Sequence, residues 1–217
     1  MIVGSSLGVP LHAALTSATL AVFLLACWCA PWKSWLIGHP DRQHVWLGTL
    51  VVILLMGAVR PGVASGLLPQ FLLVTTFTLM HGWLLAIVGI GVVLAVNCFQ
   101  HGNWADWPAY FLCEAAVPAL FVHWLHLVVV RRLPRNFWIF IFVTAFAGSI
   151  AAFALAALVL VMVARSWPVG ISVGDYLVVL GLMGFAEAYV DGLLMSATVV
   201  YKPDWVATFD DRLYFAR

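Results

Sequence analysis

The sequence predicts an all-α integral membrane protein, a helical bundle of about seven transmembrane helices forming one domain over residues 1–217. Its amino terminus is expected outside and its carboxyl terminus in the cytoplasm. Three observations predict this. The chain is 65% apolar and only 9% charged, against about 25% charge in soluble domains. Its mean hydropathy of +1.07 leaves no water-compatible surface. Its apolar runs approach the roughly 20 residues of a spanning helix, not the ~10-residue alternation of barrel strands. These features exclude a soluble enzyme and a disordered chain. Ten basic against nine acidic residues also exclude a nucleic-acid binder. Eleven Trp and fourteen Phe suit interfacial belts.

The first span is expected over residues 11–30, stopped by Pro31, Trp32 and Lys33. No Lys or Arg precedes it, so it reads as a retained helix and not as a cleaved signal. Cys27 and Cys29 diverge by about 200° around that helix and, with Cys98 and Cys113, form no metal-type pair. The second span, near 44–59, stops at Arg60-Pro61-Gly62. The third and fourth share 66–98, broken at Gly82-Trp83. The fifth runs near 109–130, the sixth near 136–164 and the seventh near 174–200. Ala145, Ala147, Gly148, Ala151, Ala152, Ala154, Ala156 and Ala157 give the sixth a surface for close helix packing.

Charge placement supports this count. With an outer amino terminus, Lys33, Arg42, Arg131, Arg132, Arg135, Lys202, Arg212 and Arg217 fall inside, and only Arg60 and Arg165 fall outside. That is the positive-inside pattern. Merging the third and fourth spans puts Lys33 and Arg42 opposite the Arg131 cluster. No internal repeat, second domain, phosphate-cradling loop or nucleophile–base motif is present, so no enzymatic activity is expected.

Ionisable groups within spans carry the functional information, because each must find a partner in a solvent that offers none. Glu187 and Asp191 lie four apart on the seventh span and share a helix face. They are expected to point into the bundle toward a cation, a basic partner or water, unless one of them holds a proton. An intramembrane cation or proton site and a structural pair bonded to neighbouring backbone are both open readings. Glu114 lies on the fifth span with Pro118. His123 and His126 follow at i, i+3, on the face opposite Glu114. Metal or haem ligation is one reading of that histidine pair; an interfacial or packed role is the other. His101 beside Asp106, with Met1 and His12, falls on the outer side, as a metal-collecting mouth or a solvated loop. His39 and His44 belong to an inner loop, and His81 is expected at the interface of an inner turn.

Gly184-Phe185-Ala186-Glu187-Ala188 resembles the last helix of the membrane permeases of energy-coupling-factor cobalt and nickel importers. Val199-Val200-Tyr201-Lys202-Pro203-Asp204-Trp205-Val206-Ala207-Thr208-Phe209-Asp210-Asp211-Arg212 is similar to the tail of one bacterial branch of that family. So is Arg132-Leu133-Pro134-Arg135-Asn136-Phe137-Trp138-Ile139-Phe140-Ile141-Phe142-Val143. Leu79-Met80-His81-Gly82-Trp83 resembles its Leu-Leu-Gly-Pro-Trp turn. The resemblance implies a substrate-capture subunit in a bacterial inner membrane, working in the lipid bilayer with a transmembrane coupling subunit and paired ATPase subunits. The substrate it implies is a divalent transition-metal ion. Family members hold that metal with a free amino terminus, a His at position two and a His twelve residues before the Gly of the turn. Here those two positions are Ile2 and Gln70. Glu187 remains by position, and Asp191 stands where the family more often has Thr or Asn. Two outcomes follow: capture of a divalent cation by a different constellation with Glu187 and Asp191 as metal ligands, or service as an accessory subunit of a larger membrane complex.

Overall fold

The structure, a computed structural model, describes residues 9–58, 69–102, 104–164 and 172–209, with the side chains of 9–11, 57–58 and 164 left out. Met1, Ile2, Arg60, Arg165, Arg212 and Arg217 lie outside the described residues. Helix α1 is Val9–Cys29, α2 Pro40–Ala58, α3 Val74–His81 and α4 Trp83–Gln100. Helix α5 is Trp104–Arg132, α6 Phe137–Val163 and α7 Val173–Tyr201. No strand occurs among the described residues.

Local chemistry sets the boundaries. Ser172 opens α7 by accepting the Asp175 N–H at 3.1 Å while its hydroxyl donates to Asp175 Oδ2 at 2.7 Å, a reciprocal cap. Asn136 opens α6 by accepting the Trp138 N–H at 2.9 Å. Pro134 and Pro203 follow the ends of α5 and α7, where a ring cannot continue the helix. Gly82, at φ +85°, separates α3 from α4 as the sequence predicts, in a backbone region that glycine enters without steric cost. Helix α5 widens to a π-helical stretch over Phe111–Ala116 and α6 over Phe140–Ala147. Such stretches recur at functional positions. The first accommodates Pro118 just past its end.

Among the described residues, five helices, α1 and α4 to α7, are long and apolar enough to cross a membrane. Helix α2 begins with Pro40, Asp41, Arg42, Gln43 and His44. The third expected span differs most. Its helical part is the 8-residue α3, about 12 Å long at 1.5 Å per residue, well short of the ~30 Å hydrocarbon layer. Residues 69–73 before it are not helical. Non-helical backbone at such depth is tolerated only where protein or a cavity surrounds it, and every residue of α3 is buried.

Helix α3 is the centre of the bundle, in contact with α4, α5, α6 and α7. One core cluster gathers Phe77, Ile87, Ile90, Leu94 and Phe111, and a second gathers Leu79, Val122, Phe140, Met195 and Val206. Ala145, Ala152, Ala156 and Ala157 of α6 are buried, whereas Ala151 and Ala154 face outward. The small residues thus serve packing on one side of α6 only. After α7 the tail turns back beneath α3. The Ala207 N–H donates to the Met80 carbonyl at 2.9 Å, and the Thr208 hydroxyl donates to the Leu79 carbonyl at 2.8 Å. These bonds satisfy two of the four carbonyls that a helix end leaves open.

Candidate functional site

Glu187 and Asp191 are buried on α7, at 4% and 0% exposure, on the face that meets α3 and α6. The sequence supplies the reason for the shared face, since four residues make just over one turn. Leu73 precedes α3 in a left-handed conformation, φ 48° and ψ 39°, which costs a non-glycine residue about 1–2 kcal/mol. That turn brings successive backbone N–H groups to bear on one anion, an arrangement that favours negative charge. The Leu72 and Leu73 N–H groups donate to the Glu187 carboxylate. Three residues into α3, the Thr76 N–H donates to Asp191 Oδ1 at 3.1 Å. Two carboxylates from α7 therefore cap the amino end of α3, where the helix dipole is positive.

The two acids are held differently. Asp191 Oδ2 accepts the Ser149 hydroxyl of α6 at 2.6 Å, so both of its oxygens are engaged by protein. Among the described residues, Glu187 Oε2 has no hydrogen-bond partner although it is buried. Glu187 lines a small cavity together with Gln70, Thr75, Glu114 and Ser149. Its free space is about 10 Å³, room for roughly one water or one ion. Glu114 is 1% exposed and stands on the π-helical stretch of α5, close enough to Glu187 to act on it electrostatically. Gln70 sits in the non-helical entry to α3, where its Oε1 accepts from Asn97 Nδ2 of α4 at 3.0 Å.

The other expected residues are dispersed. His123 stacks on Trp83 at 5.6 Å, and His126 is buried edge-on to Phe140 at 6.1 Å. Neither lines the cavity. His12 Nε2 donates to the Ala105 carbonyl at 2.9 Å and His101 Nδ1 to the Asn97 carbonyl at 2.7 Å. Each of these rings is thus engaged by backbone. His44 bonds to the Pro40 carbonyl, His39 is exposed, and none of the four cysteines forms a disulfide. His81 corrects an expectation: it is buried at 3% exposure, not interfacial, with its ring 4.8 Å from that of Phe77. The reason is α3 itself, which ends inside the bundle and is covered by the tail. No group of three or more His, Cys, Asp or Glu fit to hold a metal occurs among the described residues.

Sequence reasoning finds Glu187 and Asp191 but not their partners. Thr76 and Ser149 carry no signal beyond being hydroxyls in apolar runs. Gln70 does carry one, as an amide beside Pro69 within a stretch otherwise suited to lipid. Glu114 is recognisable as a buried acid, but only the packing of α5 against α3 and α6 brings it to the Glu187 cavity.

Residues 70–205, more than half of the chain, match the family model of the cobalt uptake substrate-specific transmembrane region. Neither a curated protein nor a solved structure matches the chain.

Proposed function

The chain belongs to the cobalt uptake substrate-specific transmembrane family, and from that premise we propose that it captures a divalent transition-metal cation and passes it across a bacterial inner membrane. In this reading it is the permease subunit of an energy-coupling-factor importer. A transmembrane coupling subunit and separate ATPase subunits supply the drive, and the chain contributes no nucleotide chemistry. Helices α2 and α3 complete a seven-segment bundle with an outer amino terminus. The basic residues Lys33, Arg42, Arg131, Arg132, Arg135 and Lys202 support that orientation.

One observation carries the proposal: Glu187 is a buried carboxylate with an oxygen left open, on a cavity sized for one ion. A carboxylate in the bilayer core is costly and marks an ion pathway by default. Of the two candidate metal ligands, Glu187 offers the open oxygen. Asp191 has a lone pair on each oxygen committed to Thr76 and Ser149 and is not among the residues that line the cavity. The residue at the resemblance's second histidine position, Gln70, lines the same cavity, which supports reading the cavity as the place of capture.

The experiment is cobalt uptake by cells carrying the protein with its coupling and ATPase partners, alongside metal analysis of the purified chain. Uptake that Glu187→Gln abolishes, with ATPase subunits copurifying, is the expected result. Absence of bound metal in the wild type, or uptake indifferent to the substitution, rejects the reading. The absence of His at position 70 favours a second reading, an accessory bundle that captures nothing. Copurification with a stable enzyme complex lacking ATPase subunits would establish it.

A further inference from the structure

We infer that the cavity beside α3 is an all-oxygen cation site in which Glu114 of α5 and Gln70 of the α3 entry complete the donor set begun by Glu187, so that it takes one dehydrated divalent cation with little discrimination between cobalt and manganese. The inference rests on the functional reading above and adds what holds the ion and what it selects.

Three independent elements bring these groups to one place. Glu187 comes from α7, Glu114 from the π-helical stretch of α5 and Gln70 from the non-helical residues before α3. An acidic pair by itself proves little. Here, however, the open Oε2 of Glu187 belongs to a side chain that is 4% exposed and lines the cavity. A buried oxygen with no donor is costly unless a cation or proton meets it. The Leu72 and Leu73 N–H groups donate to that carboxylate and restrain it. The Asn97 bond does the same for Gln70, whose amide oxygen keeps a second lone pair.

Asp191 has the complementary task. Its bonds to Thr76 and Ser149 tie α7 to α3 and α6, so it positions Glu187 one turn away. The site therefore falls outside any three-acid pattern: two carboxylates and an amide oxygen, with the Ser149 and Thr75 hydroxyls filling the remaining positions. About 10 Å³ of free space admits a bare ion or one water, not a fully hydrated cation.

Donor type sets the selectivity. Carboxylate, carbonyl and water ligands suit magnesium, calcium and manganese, whereas imidazole shifts preference toward nickel, copper and zinc. With no histidine among the described lining residues, size and charge are left to discriminate. The Gln70→His substitution adds one nitrogen donor at the cavity wall.

The test is equilibrium dialysis of the full chain in lipid nanodiscs against Co²⁺ and Mn²⁺, separately and in competition. Each variant is checked for a single gel-filtration peak. The wild type is expected to bind one ion, with Mn²⁺ displacing Co²⁺ at less than about tenfold excess. Glu114→Gln and Gln70→Ala are expected to weaken binding, the former by at least about tenfold. Gln70→His is expected to raise the Co²⁺-over-Mn²⁺ preference by about tenfold or more. Wild-type binding that Glu187→Gln abolishes and Glu114→Gln leaves unchanged overturns this donor set while leaving capture through Glu187 intact. Binding of neither ion by the wild type removes the functional reading and this inference together. Should Glu114→Gln fail to fold, the Gln70→His preference decides: an unchanged ratio overturns the inference.

Discussion

Asp191 Oδ1 accepts the backbone N–H of Thr76 at 3.1 Å across 115 residues of sequence, and through that bond the last long helix holds the shortest one in place. An 8-residue helix has little stability of its own. In α3 the first turn is satisfied from α7 and the last from the tail, so its ends are completed by tertiary partners where solvent would serve in a water-soluble protein. The same arrangement keeps residues 69–73 outside the helix and brings the Leu72 and Leu73 N–H groups to Glu187.

Removing that anchor is expected to be costly. Asp191→Ala strands the Thr76 N–H and the Ser149 hydroxyl in a buried site, for a loss of about 3 kcal/mol. Asp191→Asn keeps an acceptor and is expected to lose about half as much. Thermal unfolding in nanodiscs, followed by light scattering and tryptophan emission, checks the order. Equal loss in both variants would mean that the charge, not the bonds, carries the effect.

Two glycines are expected to respond in opposite directions. A Cβ on Gly89 would stand 2.6 Å from Phe77 Cε1 and 2.9 Å from Leu50 Cδ2. Phe77 is fully buried and packed edge-on to His81, so its ring has nowhere to move. Gly89→Ala is expected to destabilise by about 1–3 kcal/mol. A Cβ on Gly181 of α7 would meet nothing within 4 Å among the described residues, and Gly181→Ala is expected to stabilise by up to about 1 kcal/mol. Melting temperatures of the two variants under one condition decide it.

The tail is expected to detach when its backbone bond is removed. Ala207→Pro deletes the N–H that reaches the Met80 carbonyl at 2.9 Å, and Ala207 is exposed, so the ring itself meets no wall. Hydrogen exchange over residues 203–209 is expected to rise by about tenfold, with the α7 core unchanged. Unchanged exchange in the tail would show that Val206 and Phe209 hold it without the bond.

His81→Phe is expected to raise stability by about 1 kcal/mol. Neither ring nitrogen of His81 has a hydrogen-bond partner among the described residues, and its ring already packs against Phe77 as an aromatic. Exchanging orphaned polar atoms for carbon removes a desolvation penalty. A fall of similar size in denaturant titrations would mean that those nitrogens are bonded when the protein is in lipid.

Much of the fold was legible before any coordinates. Hydropathy placed α1, α4, α5, α6 and α7 within a few residues, because a spanning helix must satisfy its backbone internally and announces itself by length and apolarity. Gly82-Trp83 marked the break correctly, because a turn of that kind depends on a local backbone preference. The third span was not legible as it is. An apolar run of spanning length reads the same whether it is a lipid-facing helix or a short helix wholly enclosed by others, and only packing distinguishes them.

The site divides in the same way. By itself the sequence determined that Glu187 and Asp191 share a face and must avoid lipid, since helical periodicity and the cost of a charge in hydrocarbon are both local facts. Tertiary structure alone decided that Asp191 is bound to Thr76 and Ser149 while Glu187, with one oxygen unbonded among the described residues, lines a cavity with Gln70 and Glu114. Those partners come from elements separated by tens of residues. Hydrogen-bond satisfaction depends on atoms brought within about 3 Å by the packing of whole helices, which no spacing along one chain encodes.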